Sequence, residues 1–233
     1  MNEDRKRQLA LGFPAERRCT FGNFEAGPNL ELVTELGARA RSDGFSALWL
    51  TGESASGKSH LLQGACHAAV AAGRSAVYLP QRLMGGGPNV LEGVAEFGLV
   101  AIDDLDGWLG ERRWEEALLA VYQRLFQRGG SLLLASVYGP LELDVGLADL
   151  ASRLRAAAVY RIRPLDDADR VRVIEHLATQ RGIELSDEVI NFILRRAPRR
   201  IDALIATFDL LDRSALAQQR PLTIPLAKEV LGL

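Results

Sequence analysis

Residues 45–59 read F-S-A-L-W-L-T-G-E-S-A-S-G-K-S. The short apolar run at 45–50 predicts a buried strand, and the spacing G-x-x-x-x-G-K-S follows it and opens a helical pattern at Lys58. A strand, a glycine-containing loop and a helix in this order are the context that a phosphate-binding P-loop requires. The stretch therefore predicts an α/β layer that carries a phosphate site, with an ordinary glycine turn as the alternative.

Four further apolar runs predict the rest of a five-stranded sheet, at 75–80, 98–103, 131–136 and 158–163. Each run is nearly continuously apolar, which favours buried strands of a parallel sheet covered on both faces. Helical patterns at 58–72, about 88–96 and 112–127 lie between the runs. The alternation predicts a doubly wound α/β domain.

After Pro164 the strand pattern gives way to helical segments at 167–180, 186–197, about 199–218 and about 225–231. Asp166 can cap the first of them, and Ser186 with the flanking Leu185 and Val189 suggests a cap with a hydrophobic staple for the second. We therefore expect a tail at 1–19, an α/β domain at 20–163 and a small all-α lid domain at 164–233.

The charge balance excludes some classes of function. The 233 residues include 28 basic and 30 acidic side chains, so a domain that coats nucleic acid is not expected, and DNA contact should be local or indirect. The charged start and the lack of an apolar run of about eighteen residues predict a cytoplasmic protein without membrane association. Cys19 and Cys66 show no metal-ligand spacing.

The P-loop motif assigns chemistry to individual residues. Glycine lets backbone N–H groups turn toward phosphates, Lys58 reaches the terminal phosphates, and the Ser59 hydroxyl can ligate Mg²⁺. The predicted nucleotide-binding residues of this stretch are Gly52, Ser54, Ser56, Gly57, Lys58, Ser59 and His60. For His60, a surface or packing role is the alternative.

Two carboxylates end the strand at 98–103, where ligands bind in open α/β sheets. Asp103 would hold Mg²⁺ through water, and Asp104 would polarise an attacking water. Acidic residues are also common in turns after strands, which is the alternative.

Several stretches together resemble the DnaA-related AAA+ family: T-F-G-N-F-E-A-G-P-N at 20–29, the P-loop through Leu62, L-V-A-I-D-D-L at 99–105 and D-L-A-S-R-L at 149–154. The ending R-P-L-T-I-P-L-A-K-E-V-L-G-L at 220–233 and the short tail resemble its Hda branch. From the resemblance we expect a protein that ends after the lid, without the helix-turn-helix domain of the family's initiators.

The resemblance implies a sheet in the order 5-1-4-3-2, with ADP or ATP and Mg²⁺ held between the α/β layer and the lid. It places Phe21 and Asn29 near the base and ribose, Ser136 at the sensor-1 position and Arg199 at the sensor-2 position. Asp104 stands where many relatives have Glu, so intrinsic ATP hydrolysis should be weak. Ser136 as a turn residue and Arg199 on a solvated basic face are the alternatives.

The resemblance also implies that Arg153 acts in trans as an arginine finger. Its guanidinium would neutralise charge on the γ-phosphoryl group of a nucleotide bound to a neighbouring AAA+ subunit. The alternative is a salt bridge from Arg153 to Asp149, one helical turn earlier.

In the tail, Gln8, Leu9, Leu11 and Phe13 resemble the peptide by which replication factors bind the sliding clamp, the beta subunit of DNA polymerase III. Apolar side chains on a charged tail suit insertion into a partner's pocket. Docking of these residues on the chain's own core is the alternative.

The family resemblance implies a negative regulator of DNA replication initiation. With the DNA-loaded clamp, it would stimulate hydrolysis of ATP bound to the initiator DnaA, and a homo-oligomer is compatible with this role. A DNA-handling AAA+ ATPase such as a helicase loader, which needs a basic groove with aromatic residues, is the rival hypothesis. A purely structural clamp-binding module is the third.

Overall fold

The computed structural model describes residues 19–233. The chain divides into two compact units, Met1–Arg163 and Pro164–Leu233. The predicted clamp-binding residues Gln8, Leu9, Leu11 and Phe13 lie outside the described residues.

The first unit is built on a parallel sheet of five strands in the order β2-β3-β4-β1-β5. The strands are β1 (Ser46–Thr51), β2 (Ala76–Leu79), β3 (Leu99–Ile102), β4 (Ser131–Ser136) and β5 (Ala158–Arg161). Read from the other edge, this is the order 5-1-4-3-2, so both the fold class and the topology implied by the resemblance are confirmed.

Helices cover both faces of this sheet: α1 (Leu30–Arg41), α2 (Lys58–Ala71), α3 (Arg112–Arg128) and α4 (Ala148–Arg155). In α3, the buried residues Leu118, Val121, Tyr122 and Leu125 follow the helical period. They belong to an apolar cluster that contains Trp49 of β1. A second cluster joins α1 and α2 to the opposite face through residues such as Leu36, Leu61 and Leu48.

Two details of the predicted α/β layer are wrong. The run at 158–163 is an edge strand whose side chains alternate between half-buried and exposed, because Tyr160 packs on the apolar cluster of one sheet face while Val159 on the other face is 48% exposed. The pattern at about 88–96 forms two 3-10 turns, Pro88–Leu91 and Val94–Glu96, instead of one helix. Gly93 between them has a φ of 74°, which breaks an α-helix.

The second unit contains α5 (Asp167–Gln180), α6 (Asp187–Arg196), α7 (Ile201–Ala217) and α8 (Ile224–Leu231) around its own apolar cluster, with Phe208 and Leu226 fully buried. Asp166 caps α5 as predicted, since its side chain accepts a hydrogen bond from Asp169 N. Ser186 occupies the N-cap position of α6 without a side-chain cap bond.

Candidate nucleotide site

The P-loop between β1 and α2 is shaped by two glycines. Gly57 caps α2 with a φ of 101°, and a Cβ at this position would lie 2.8 Å from Phe24 Cε2. A Cβ at Gly52 would lie 2.8 Å from Ser56 Oγ. Neither position accepts a side chain without movement, so the tight loop that leads into the N-terminus of α2 requires glycine at both.

Lys58 is buried, with 4% of its surface exposed. Its ammonium donates to the carbonyl oxygens of Gly52 at 2.8 Å and Glu53 at 2.9 Å. Burial lowers the pKa of Lys58, and the charges of Asp104, Asp103 and Asp106 act in the opposite direction. The loop thus holds a cation beside the acidic end of β3.

Asp103 and Asp104 have different surroundings. Asp103 is 2% exposed, and its Oδ1 accepts from Asp104 N at 3.0 Å while its Oδ2 accepts from the Tyr78 hydroxyl at 2.6 Å. Asp104 is exposed and has a φ of 47°, a backbone conformation that is uncommon outside glycine and is often found at functional sites. Partial burial and then the charge of Asp103 raise the pKa of Asp104, against the opposing effect of Lys58.

The residues present fit a nucleotide with Mg²⁺. Ser56 Oγ is buried without a hydrogen-bond partner among the described residues, and Ser54 and Ser59 are exposed on the loop and the first turn of α2. The Ser59 and Asp103 oxygens are hard donors of the type that Mg²⁺ prefers. Among residues 19–233, no group of three His, Cys, Asp or Glu side chains could hold a metal ion alone. In P-loop sites, phosphates and waters supply most of the Mg²⁺ ligands.

The segment that precedes α1 is attached to α2 by side chains. His60 Nε2 lies 2.9 Å from Thr20 O and 3.0 Å from Asn23 Oδ1, and it must carry a proton because a carbonyl oxygen can only accept. The Phe21 ring lies against Gly64, where a Cβ would come within 3.2 Å of Phe21 Cδ1. The structure therefore places His60 and Phe21 in packing contacts that hold residues 20–24 beside the P-loop helix.

Asn29 is buried and binds the backbone at the other end of the first unit. Its Nδ2 donates to Arg163 O at 3.0 Å, and its Oδ1 accepts from Arg163 N at 2.7 Å. The side-chain amide is thus paired with a single residue's backbone, which fixes the last residue of this unit. Its predicted place near the base and ribose stays a prediction.

Solved structures share this fold. Domain III of the replication initiation protein DnaA from Thermotoga maritima superposes with a TM-score of 0.77 at 19% identity, over 94% of this chain and 98% of that one. AMPPCP-bound DnaA from Aquifex aeolicus gives 0.68 at 22% identity, over 87% and 67%. The Thermotoga maritima RuvB Holliday junction branch migration motor gives 0.65 at 13% identity, over 91% and 73%. These likenesses establish an AAA+ fold.

The helical unit matches a specific protein family. Residues 167–231, which comprise nearly all of it, match the family model of the Hda lid domain. The chain thus carries a lid of the Hda type behind a unit with the AAA+ fold.

In the first unit, Ser136 is an internal residue. It is fully buried at the end of β4, accepts from Trp49 Nε1 at 2.6 Å and donates its proton to the Tyr138 carbonyl oxygen. Because a hydroxyl has one proton, that proton is used within the protein. This arrangement favours the alternative that Ser136 is a turn residue.

Arg153 lies on α4, where two neighbours hold its side chain. Its Nε lies 2.8 Å from Asp149 Oδ1, and its guanidinium carbon stands 5.5 Å from the centre of the Tyr122 ring. The side chain is 33% exposed. The predicted alternative, a salt bridge to Asp149, is therefore present, and the finger role stays a prediction.

Arg199 lies on the surface of the Hda-type lid. Its side chain is 85% exposed, and its Nη2 lies 3.3 Å from Asp167 Oδ2. The prediction that Arg199 opens the third lid helix is wrong by two residues, since α7 begins at Ile201 with Arg200 as its N-cap. Arg200 is bound to Asp202, with Nη2 at 2.7 Å from Oδ2. Whether Arg199 serves as sensor 2 stays a prediction.

Two residues near the site were missed by sequence reasoning. Tyr78 lies within the apolar run at 75–80, and nothing in that run indicates its contact with Asp103. Glu115 is 2% exposed and accepts three backbone N–H groups, from Gly110, Gly146 and Leu147. A charged residue on the buried side of α3 was the only signal that could have indicated it.

Among the described residues, no helix has the length and apolar character to cross a membrane.

Proposed function

We propose that this chain is a nucleotide-holding adaptor that stimulates hydrolysis of the ATP bound to the initiator DnaA. It would act as a negative regulator of replication initiation while docked on the DNA-loaded sliding clamp through residues 8–13. ADP held at residues 52–59 is the proposed working state.

The observation that carries this proposal is the setting of Arg153, on a short helix of an AAA+ unit that is followed by an Hda-type lid. Its bond to Asp149 uses Nε, and the Tyr122 ring faces the guanidinium. A surface i,i+4 ion pair contributes only about 0.3–0.5 kcal/mol, so the guanidinium can be redirected at little cost.

The chemistry follows from the guanidinium itself. Arg153 keeps its charge at all relevant pH values and can neutralise negative charge that develops on the γ-phosphoryl group of the partner's ATP. Arginine fingers supplied in trans raise hydrolysis rates by roughly a thousandfold or more. Asp104 is exposed and its side chain is shorter than that of a glutamate, so we expect the chain's own ATPase activity to be weak.

The test is single-turnover hydrolysis of radiolabelled ATP bound to DnaA, with clamp-loaded DNA and this chain. We expect Arg153→Ala to return hydrolysis to the unstimulated rate while ADP affinity is unchanged, and Arg153→Lys to rescue it poorly because Lys lacks the planar fork. Arg155→Ala, an exposed residue of the same helix, is the matched control. Stimulation by Arg153→Ala at the wild-type rate would contradict the proposal, and rapid ATP turnover by the chain alone would favour a DNA-handling ATPase.

A further inference from the structure

Tyr78 lies between Ser59 of the P-loop and Asp103 after β3, the two residues that the sequence assigns to the metal. It belongs to β2 and pairs in register with Ala101 of β3. Its hydroxyl donates to Asp103 Oδ2 at 2.6 Å and makes further hydrogen bonds with the side chains of Ser59 and Gln63 on α2. One phenol oxygen therefore connects the first turn of the P-loop helix to the carboxylate at the end of β3.

The hydroxyl also completes the set of donors around Asp103. The other oxygen of this buried carboxylate accepts from Asp104 N at 3.0 Å. Both oxygens of Asp103 are thus bound by protein groups. An O–H···O⁻ bond to a buried carboxylate belongs to the stronger class of hydrogen bonds. Mg²⁺ or its water must therefore break a strong bond to reach Asp103 Oδ2.

We propose that the Tyr78 hydroxyl competes with Mg²⁺ for Asp103 and so allows this chain to hold a nucleoside diphosphate with little dependence on the metal. This inference rests on the proposed nucleotide site at residues 52–59. Mg²⁺ requires near-octahedral oxygen ligands at short distances and gives up its waters reluctantly. The metal, or the water that joins it to Asp103, needs the space and the lone pair that the phenol now uses.

The charges beside the site allow a diphosphate to bind without a metal ion. Lys58 already supplies a cation next to Asp103 and Asp104, bound to the loop carbonyl groups of Gly52 and Glu53. The two phosphates of a diphosphate carry less charge than three, so Lys58 and the backbone N–H groups of α2 can balance them without a second cation. A tyrosine hydroxyl that competes with the metal for Asp103 is therefore compatible with diphosphate binding.

The test is Tyr78→Phe, which removes the hydroxyl and keeps the ring. The affinity for a fluorescent ADP analogue is measured in excess EDTA and in millimolar Mg²⁺, with the intact chain. We expect Mg²⁺ to change wild-type affinity little, and to raise the affinity of Tyr78→Phe by about tenfold or more because the competing hydroxyl is gone. Tyr160→Phe is the matched control, since Tyr160 packs against the same apolar cluster from β5.

A second measurement reads the metal directly. Electron paramagnetic resonance of Mn²⁺ added to the ADP complex should show tighter binding in Tyr78→Phe than in the wild type. Equal dependence on Mg²⁺ and equal Mn²⁺ affinity in the two proteins would overturn the inference and leave the nucleotide site intact. Failure of both proteins to bind ADP, with or without Mg²⁺, would overturn the proposed function as well.

Discussion

Lys58 shows at the scale of one residue how the loop can hold phosphate. Its ammonium is removed from water, bound to two carbonyl groups, and placed near three carboxylates on or after β3. Burial alone would favour the neutral form, whereas the carboxylates favour the charged form. A cation in such a poorly hydrated place interacts more strongly with a phosphate than an exposed lysine does.

We expect Lys58→Ala to weaken ADP binding by one to two orders of magnitude, because a charge-assisted hydrogen bond contributes roughly 1.5–3 kcal/mol. Isothermal titration calorimetry measures the change. Lys228→Ala, an exposed lysine of α8, is the control. Unchanged ADP affinity in Lys58→Ala would contradict the assignment of residues 52–59 as the nucleotide-binding loop.

At the scale of elements, Glu115 connects α3 to the start of α4. Its carboxylate accepts from Gly146 N at 3.0 Å and Leu147 N at 2.8 Å, just before the first residue of α4, and from Gly110 N at 3.1 Å. Tyr122, two turns later on α3, faces the guanidinium of Arg153. Helix α3 thus holds the start of α4 through Glu115 and contacts the Arg153 side chain through Tyr122. It therefore positions the proposed arginine finger.

We expect Glu115→Ala to lower the free energy of unfolding by about 1.5–3 kcal/mol, since it removes the buried carboxylate that accepts three backbone N–H groups. Urea denaturation gives this value. The variant should also lose stimulation of the initiator's ATP hydrolysis more than it loses ADP affinity, because α4 is released and the P-loop is not. Glu116→Ala, an exposed neighbour that pairs with Arg112, should change neither property.

At the scale of the whole molecule, two units with separate apolar cores follow one another along the chain. The proposed activity needs three functions from one chain: a nucleotide site, a cation for the partner and a clamp-binding tail. The first two are assigned to residues of the first unit, and the third to residues 8–13, which lie outside the described residues.

Replacement of both Leu11 and Phe13 by Ala should abolish capture of the sliding clamp, because apolar anchors carry the binding energy of such peptides. Surface plasmon resonance with immobilised clamp checks this outcome, in the presence and absence of ADP. The melting temperature should stay at the wild-type value. A drop of several degrees would show that the two side chains pack on the chain's own core.

The sequence by itself determined the α/β class, the strands β1 to β4, the P-loop with its lysine, and the four lid helices. These features depend on local period and on short motifs, which act over a few neighbouring residues. The family resemblance added the sheet order, which no periodicity contains.

Only the tertiary structure decided which polar groups meet. The alternation of half-buried and exposed residues in β5 arises because only one of its faces packs on an apolar cluster. The internal bonding of Ser136 depends on Trp49, and the binding of Asn29 depends on the backbone of Arg163. Tyr78 and Asp103 come from neighbouring strands whose ends meet at one edge of the sheet. Contacts of this kind join residues that are distant along the chain, so no local pattern can indicate them.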